Sequence, residues 1–260
     1  MPDHSATVAV IAGGTQGLGL AIAERLIADG CRQMVISGRE VLRGEEAAAR
    51  LREAGADVRF LPADMGVVED IIALIDRAAA RFGKVTALVN SAAATDRGSI
   101  LDTTPDRFDH IFAVNTRGAF FALQRFAQLA IENGHPAQAV NILSMVIHCG
   151  QSFLAPYSAS KAALANITKN AAHTLRHHKI RVNGINCGWM DTPGEDMIQR
   201  KYHGAGDDWL QKAEATQPMG MLVKPAHVAE LASYMLSASS GVMTGALVDF
   251  DQTISGAYPE

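Results

Sequence analysis

Residues 7–19 read TVAVIAGGTQGLG, and this stretch decides the fold. The apolar, β-branched run 7–12 predicts a buried strand, and the apolar residues at three- and four-residue steps in 18–29 predict a helix. The glycines between them are spaced G-x-x-x-G-x-G, and glycine lets the backbone turn tightly and approach a pyrophosphate. The phosphate charge would then face the amide groups at the helix N-terminus. The stretch therefore predicts a dinucleotide-binding βα unit, although a tight turn alone would also explain the glycines.

The same alternation continues along the chain. Further short apolar runs predict strands at 34–37, 58–61, 87–90, 139–143, 182–185 and 247–250, with helical segments such as 71–82 between them. Near-continuous apolar strands are typical of a parallel sheet covered on both faces. We therefore expect an α/β fold, a Rossmann-like doubly wound parallel sheet in a single domain over 1–260. The segment 190–221 departs from the pattern, and its polar, glycine-rich composition predicts a mobile flap over a site.

Composition excludes several classes of protein. With 260 residues, 48% hydrophobic and 19% charged, the chain can bury a large core, which excludes disordered and fibrous proteins. The net charge of −4 argues against general attraction to nucleic acid or an anionic membrane. Three widely separated cysteines predict neither a disulfide framework nor a metal site and favour the cytoplasm. No apolar run approaches the roughly 18 residues of a membrane span, and the N-terminus does not resemble a signal peptide.

The end of the second predicted strand bears on the choice of cofactor. An acid there would bind the adenosine ribose hydroxyls of NAD, whereas an arginine accommodates the extra phosphate of NADP. The chain has Ser37, Gly38 and Arg39 at this place, so we expect NADP. NAD stays open as the alternative, because Arg39 could be a solvated residue and Glu40 is adjacent.

Tyr157 and Lys161 form the candidate catalytic pair. Residues four apart on a helix share one face, about 6 Å apart at Cβ. A neighbouring ammonium would lower the pKa of the phenol and make it useful as an acid/base near neutral pH. Ser144 precedes the pair, at the end of a predicted strand. A Tyr-x-x-x-Lys spacing also occurs as an ordinary helix-surface pair.

The joint pattern resembles the classical short-chain dehydrogenase/reductase family over nearly the whole chain. The glycine turn, the sequence Asn-Ser-Ala-Ala at 90–93, Asn115, Ser144 and the Tyr157/Lys161 pair occur in the family's order and at its separations. The resemblance implies hydride transfer between a nicotinamide cofactor and a secondary alcohol or ketone. It departs at Ala93, where the family has glycine, at Cys187, where it has proline, and at Ala12, where it has threonine.

The resemblance also implies residue roles. Tyr157 would be the catalytic acid/base, Lys161 would lower its pKa and hold the nicotinamide ribose, and Ser144 would orient the substrate oxygen. The backbone of Asn115 would hold a water of the proton relay. Asp64 would contact the adenine, Asn90 would stabilise the central sheet, and Thr192 would engage the carboxamide. The implied cofactor-binding residues are Gly13, Thr15, Gln16, Gly17, Leu18, Gly19, Ser37, Arg39, Asp64, Met65, Asn90, Ala92, Tyr157, Lys161, Gly188, Met190 and Thr192.

The substrate is expected to be a sugar or polyol. The implied substrate-binding residues are Asp96, Arg97, Ser144, His148, Gln151, Tyr157 and Trp189. Convergent polar groups and an aromatic face, here Trp189, suit a polyhydroxylated molecule, and Arg97 or Arg200 could hold an anionic group. The alternatives are a 3-ketoacyl or other small-ketone reductase, an epimerase of the family's extended branch, and a non-catalytic nucleotide sensor.

We also expect a homotetramer. The family commonly pairs its fourth and fifth long helices between subunits. The predicted helix over 104–131 carries Phe108, Phe112, Phe120, Phe121 and Phe126, more apolar surface than one sheet face readily buries. Ordinary core packing is the other explanation for these side chains.

Overall fold

The computed structural model describes residues 2–257 and contains one seven-stranded, fully parallel sheet. Its strand order is β3-β2-β1-β4-β5-β6-β7. The strands are β1 (Val8–Ala12), β2 (Gln33–Gly38), β3 (Asp57–Pro62), β4 (Ala87–Asn90), β5 (Ala137–Ser144), β6 (Ile180–Cys187) and β7 (Leu247–Phe250). The predicted doubly wound α/β fold is confirmed, with each predicted run inside or overlapping a strand. The order reverses between β1 and β4, where ligands bind in such sheets.

Helices cover both faces of the sheet. They are α1 (Gly17–Ala28), α2 (Val41–Glu53), α3 (Val68–Phe82), α4 (Pro105–Phe112), α5 (Ala119–Glu132), α6 (Ala155–Leu175), α7 (Pro193–His203), α8 (Trp209–Ala215) and α9 (Pro225–Leu236). Successive strand residues point to opposite faces. In β1, Ala9 and Ile11 accordingly pack with α1, α2 and α9, whereas Val10 and Ala12 pack on the α3 and α5 side. This two-sided burial explains why β1 is apolar throughout.

The predicted helix over 104–131 is present but contains a π-helical turn. Thr104 accepts a hydrogen bond from Arg107 N at 3.3 Å and begins α4, and the π turn Ala113–Gly118 joins α4 to α5. Gly118 is needed there, because a Cβ on it would lie 2.1 Å from the Met65 carbonyl oxygen. The π turn carries Asn115, which is buried, towards α6.

The segment 190–221 is largely helical. Thr192 caps α7 by accepting from Glu195 N at 3.1 Å, and α7 ends at Gly204, whose φ is +62°. Trp209 packs with Ala213 and Leu222 in a small cluster of their own. The segment therefore has a local core, which its polar composition concealed at the level of sequence. Within residues 2–257 we find no helix with the length and apolar character of a bilayer span.

Candidate active site

The glycine turn joins β1 to α1 through very close backbone contacts. The amides of Gly13 and Gly14 both donate to the Ser37 carbonyl at 3.0 Å. A Cβ on Gly13 would lie 2.6 Å from Ala92 N, and one on Gly19 would lie 2.0 Å from the Gly13 carbonyl oxygen. Only glycine fits at both positions, so the turn holds the start of α1 tightly against the ends of β1 and β4.

The first turn of α1 offers free amide groups to a ligand. The helix begins at Gly17, and the Gln16 side chain at its N-cap accepts no amide hydrogen bond. The first amides of a helix have no acceptor within it, so those of α1 can face an anion. A Cβ on Gly17 would lie 3.7 Å from Thr192 Cβ, which places the start of α7 against this turn. The cradle therefore fits the pyrophosphate of a dinucleotide.

Two arginines lie near the glycine turn, one directly after β2 and one in the first turn of α2. Ser37 is fully buried, and its hydroxyl has no hydrogen-bond partner among the described residues. Arg39 is exposed directly after β2. Arg43, in the first turn of α2, donates through Nη1 to Gln16 Oε1 at 3.0 Å. Arg43 was not expected from the sequence, because its contact with Gln16 joins residues 27 positions apart.

The remaining adenosine-side candidates lie along β3 and β4. One Asp64 oxygen accepts from Gly66 N at 2.8 Å, which fixes the carboxyl at the end of β3, beside buried Met65. Asn90 Nδ2 donates to Asn141 Oδ1 at 2.8 Å and to the Ala119 carbonyl at 3.3 Å. Asn90 thus links β4 to β5 and α5.

Two of the expected cofactor residues, Gly188 and Met190, follow β6. Gly188 N donates to the Phe250 carbonyl at 3.1 Å, and a Cβ on Gly188 would lie 2.1 Å from Asp251 Oδ1. Met190 pairs with Val223 in an isolated parallel bridge. The carboxylate of Asp251 was not expected here; it follows β7 and reaches β6 because the two strands are neighbours.

Ser144, Tyr157, Lys161 and Asn115 meet at the carboxyl ends of β5 and β6. The Ser144 hydroxyl accepts from Val146 N at 3.4 Å and lies near enough to Tyr157 to lower its pKa. Lys161 is buried, its Nζ donates to the Ile142 carbonyl at 2.8 Å, and it lies 5.8 Å from the centre of the Tyr157 ring. Four-residue spacing on α6 therefore places both groups on one face, as expected from the sequence.

Asn115 reaches the same site through its side chain. Its Oδ1 accepts from Ala94 N at 2.7 Å, and its Nδ2 donates to the Ala94 carbonyl at 2.9 Å and to Ser160 Oγ at 3.0 Å. Ser160 Oγ in turn donates to the Tyr157 carbonyl at 2.7 Å. Asn115 therefore ties the loop after β4 to the helical turn that carries the tyrosine.

Burial is the largest influence on the pKa values of Tyr157 and Lys161. It raises the pKa of Tyr157 to about 12, while the neighbouring Ser144 hydroxyl and the positive charge of Arg97 act in the opposite direction. Burial also lowers the pKa of Lys161 to about 8. Lys161 is not among the groups that shift the pKa of Tyr157, and its ammonium donates to the Ile142 carbonyl.

The loop after β4 and helix α7 close over this site. Arg97 Nη2 lies 3.3 Å from His203 Nε2, and Asp96 accepts from the Tyr202 hydroxyl at 3.3 Å. These contacts bring the expected substrate-side residues Asp96 and Arg97 together with α7. Arg200 is directed elsewhere.

A second group of polar contacts lies at the start of α7. Trp189 Nε1 donates to Glu195 Oε1 at 2.8 Å, and Gln199 donates to the same oxygen at 2.7 Å. Glu195 also influences Tyr157, whose pKa its negative charge raises. Glu195 was not among the residues expected from the sequence, because nothing in an apparently irregular flap distinguished it from solvated acids.

Two expected substrate residues are less engaged with the site. His148 lies 2.8 Å from Asp249 Oδ1 on β7, an oxygen that also accepts from Asn186 at 2.6 Å. Gln151 is exposed, and its carbonyl accepts from Leu154 N at 2.9 Å. The structure thus directs His148 towards β7 and leaves the Gln151 side chain at the surface.

Comparison with known proteins places this geometry in a family. Residues 12–253 match a family model described as enoyl-(acyl carrier protein) reductase. The chain is 33% identical over 254 residues to an NADP-dependent (R)-specific alcohol dehydrogenase of Lentilactobacillus kefiri, covering 96% of each protein. The chain belongs to the short-chain dehydrogenase/reductase family. A galactitol 2-dehydrogenase of Agrobacterium fabrum is 27% identical, with 90% of this chain and 91% of that protein covered.

The fold agrees with a solved member of the family. A short-chain type dehydrogenase/reductase from Mycobacterium marinum superimposes with a TM-score of 0.86 at 24% identity, covering 96% of both chains. As a member of this family, the chain is an NAD(P)-dependent oxidoreductase that acts on alcohols or ketones. The alternative of a non-catalytic nucleotide sensor is thereby set aside.

The structure accommodates two residues near the cofactor site, Ala93 and Cys187, that differ from the usual residues of the short-chain dehydrogenase/reductase family. Ala93 is exposed, so its methyl group has room where the family has glycine. Cys187 is buried beside Ser144 in the register of β5 and β6, and burial raises the pKa of its thiol to about 12. Cys187 therefore stays a neutral thiol and leaves the charge of the site to Lys161.

Proposed function

We propose that this short-chain dehydrogenase/reductase interconverts a secondary alcohol and a ketone on a small sugar or polyol. The observation that carries the proposal is Trp189, whose side chain is 39% exposed while its Nε1 is fixed on Glu195. An aromatic face covers the C–H surface of a sugar, and carboxylates such as Glu195 and Asp96 accept from its hydroxyls. A steroid or long aliphatic chain would call for mainly apolar walls.

Tyr157 is proposed as the acid/base of the reaction. In the oxidation direction its phenolate takes the proton of the substrate alcohol, while the Ser144 hydroxyl donates a hydrogen bond to the same oxygen. In reduction the phenol returns the proton. A bound nicotinamide supplies the hydride chemistry. Because burial holds the Tyr157 pKa near 12, the phenol is well suited to donate at neutral pH, and its ionisation depends on added positive charge.

Lys161 and Asn115 are proposed to support that proton transfer. Lys161 would hold the nicotinamide ribose. Its pKa near 8 lets it exchange a proton close to neutral pH. Asn115 positions the turn that carries Tyr157 through Ser160. Its backbone in the π turn is the proposed site of the relay water. Both residues act on the orientation and charge of Tyr157.

NADP is the proposed cofactor. Gly38 leaves no acid to bind the ribose hydroxyls, and Arg39 and Arg43 supply positive charge near the first turn of α1. The test compares kcat/KM for NADP and NAD in the wild type and in Arg39→Ala and Arg43→Ala. We expect the NADP preference to fall by about 10-fold in each variant, as one phosphate-binding hydrogen bond is lost. An NAD preference in the wild type would overturn the proposal.

A homotetramer in the cytoplasm is the proposed state of the enzyme. Phe108 and Phe120 are each more than 40% exposed. Phe120 lines a surface groove of about 790 Å³ between α4, α5 and α6, together with Phe112, on which Phe108 stacks at 4.5 Å. Exposed aromatic side chains of this kind favour burial between subunits. A monomeric mass in light scattering at micromolar concentration would refute the proposed assembly.

A 3-ketoacyl or other small-ketone reductase is the second candidate, because the matching family model carries an acyl-reductase description. The deciding experiment measures kcat/KM with aldoses, polyols, steroids, aliphatic ketones and β-ketoacyl thioesters. It includes Trp189→Ala and, as matched control, Trp189→Phe, which keeps an aromatic face. We expect the alanine variant to lose about 10-fold on polyols and the phenylalanine variant less. Higher kcat/KM on ketoacyl thioesters, steroids or aliphatic ketones than on every sugar and polyol would overturn the proposal.

A further inference from the structure

Arg97 has hydrogen-bonding capacity that the described chain leaves unused. Its Nη1 lies 3.5 Å from the Thr95 carbonyl, a long contact, and its Nη2 lies 3.3 Å from His203 Nε2. Its Nε is buried and has no partner within residues 2–257, where Arg97 also makes no ion pair. A guanidinium carries five N–H donors, and leaving a buried donor unpaired costs free energy. Arg97 is therefore placed to receive an acceptor from outside the chain.

His203 brings a second basic side chain to the same place. Its ring centre lies 5.8 Å from that of Phe153, and Arg97 Cζ lies 5.3 Å from the Phe153 ring centre. Phe153 precedes α6 and His203 ends α7, so the two basic groups come from separate elements and meet over one aromatic ring. Because a guanidinium only donates, His203 Nε2 accepts in this contact and the other ring nitrogen, Nδ1, carries the proton. The pair therefore presents the charge of Arg97 and an imidazole N–H donor, both of which suit an anion.

The nearby acids are engaged with neutral donors. Asp96 accepts from the Tyr202 hydroxyl, and Glu195 Oε1 accepts from Trp189 and Gln199. Neither carboxylate neutralises Arg97. The site therefore keeps one uncompensated positive charge next to groups that can accept hydrogen bonds from hydroxyls.

Arg200, the other arginine considered for an anion, is already paired. Its Nε lies 2.9 Å from Asp196 and its Nη1 lies 2.8 Å from Asp207. Arg97, by contrast, acts on the catalytic hydroxyl, since its charge is one of the influences that lower the pKa of Tyr157 against the effect of burial. Of the two arginines, only Arg97 combines free donors with proximity to the reacting group.

We infer that Arg97 and His203 bind a carboxylate of the substrate, which is therefore a polyhydroxylated carboxylic acid. The carboxylate would take the free donors of Arg97 in a paired arrangement, the carbinol would lie at Tyr157 and Ser144, and the other hydroxyls would face Glu195. The hydroxyl part of this inference rests on the proposed function, whereas the carboxylate site stands on Arg97 and His203 alone.

The test uses two pairs of compounds that differ in charge. The first pair is D-gluconate and D-glucitol, and the second is 3-hydroxybutyrate and its methyl ester. Values of kcat/KM with NADP are measured for the wild type, Arg97→Ala, Arg97→Lys and the matched control Arg200→Ala. We expect the acid to be preferred, and Arg97→Ala to lower the acid-to-neutral ratio by about 30-fold, as a lost charge-assisted hydrogen-bond pair would. The acid-to-neutral ratio of Arg97→Lys should lie between those of the wild type and Arg97→Ala. Arg200→Ala should change the ratio by less than about threefold, because it removes only an exposed ion pair.

The outcomes separate this inference from the proposed function. Equal losses by Arg97→Ala on acid and neutral compounds would show that Arg97 only stabilises the structure, and would overturn the inference. No turnover of the sugar pair, together with an Arg97-dependent ratio in the hydroxybutyrate pair, would refute the sugar or polyol function and leave the carboxylate site standing. Calorimetric titration of D-gluconate and of 3-hydroxybutyrate with NADPH present adds a readout without turnover, because an alcohol cannot be oxidised by the reduced cofactor. We expect at least one of the two acids to bind at least about 10-fold tighter to the wild type than to Arg97→Ala. Equal affinities for the two proteins, or no binding of either acid, would overturn the inference.

Discussion

Replacing Lys161 with methionine should make the protein more stable while it loses activity. The folded chain lowers the pKa of Lys161 from 10.5 to about 8 because the ammonium is buried. One pKa unit corresponds to about 1.4 kcal/mol, so holding the charged lysine costs the folded state about 3 kcal/mol at pH 7. Methionine removes this cost. It also leaves the Ile142 carbonyl without its donor, which destabilises the folded state by about 1 to 2 kcal/mol. The net gain is about 1 to 2 kcal/mol.

The pH dependence of this effect gives the sharper measurement. Between pH 8 and 10.5 the unfolded chain keeps the lysine proton and the folded chain loses it, so wild-type stability rises with pH. The cost of the buried lysine falls from about 3 kcal/mol at pH 7 to about 1 kcal/mol at pH 10. Urea denaturation followed by tryptophan fluorescence at fixed protein concentration should show the advantage of Lys161→Met shrinking by about 2 kcal/mol over this range.

The matched control is Lys169→Met, on the same helix but exposed. Its stability relative to the wild type should change little with pH, because the Lys169 side chain stays in contact with solvent when the chain folds. If the free energy of unfolding of Lys161→Met stays a constant amount above that of the wild type from pH 7 to 10, burial does not lower the pKa of this lysine and the reasoning is refuted.

Three further predictions concern turnover, the glycine turn and low pH. Tyr157→Phe should keep the fold and cofactor affinity but lose at least about 100-fold in kcat, because it deletes the proton-transfer group; near wild-type turnover would remove Tyr157 from the mechanism. Gly19→Ala should weaken NADP binding, measured by calorimetry, since its Cβ would lie 2.0 Å from the Gly13 carbonyl oxygen; unchanged affinity would contradict the close-contact argument. His4 is fully buried and hydrogen-bonded to Ser233, and burial lowers its pKa. As the pH falls below 6.5 the unfolded chain binds a proton that folded His4 does not, so the free energy of unfolding should fall. His4→Gln should lose less stability in denaturation at pH 5, and an identical loss would exclude His4 as the cause.

The sheet and the glycine turn could be predicted from sequence because each depends on local chemistry. Buried parallel strands are apolar on both faces, so β1 and β5 stand out as continuous runs. The glycines are needed by backbone contacts within the turn itself. The Tyr157 and Lys161 pair follows from helical spacing. In each of these cases the information lies within a few residues.

The parts that sequence reasoning missed depend on contacts between distant segments. Helix α8 is held by Trp209 packing on Leu222, which no short periodic pattern reveals. The contact of Arg43 with Gln16 joins residues 27 positions apart, and the direction of His148 is set by Asp249, 101 positions away. Such pairings exist only after the chain has folded, so composition and spacing cannot specify them.

The π turn between α4 and α5 has an evolutionary consequence. A π-helical turn holds more residues than the α-helical turn that it replaces. Removing one residue from Ala113–Gly118 would leave a regular α-helical turn in its place, and α5 would keep its orientation, because the wide turn had absorbed the extra residue. The residues of the turn itself would shift, and Asn115 would lose its place opposite Ser160. A single-codon deletion would therefore remove the contact that supports the catalytic tyrosine while leaving the outer face with Phe120 unchanged, so variation in the length of this turn acts on the active site alone.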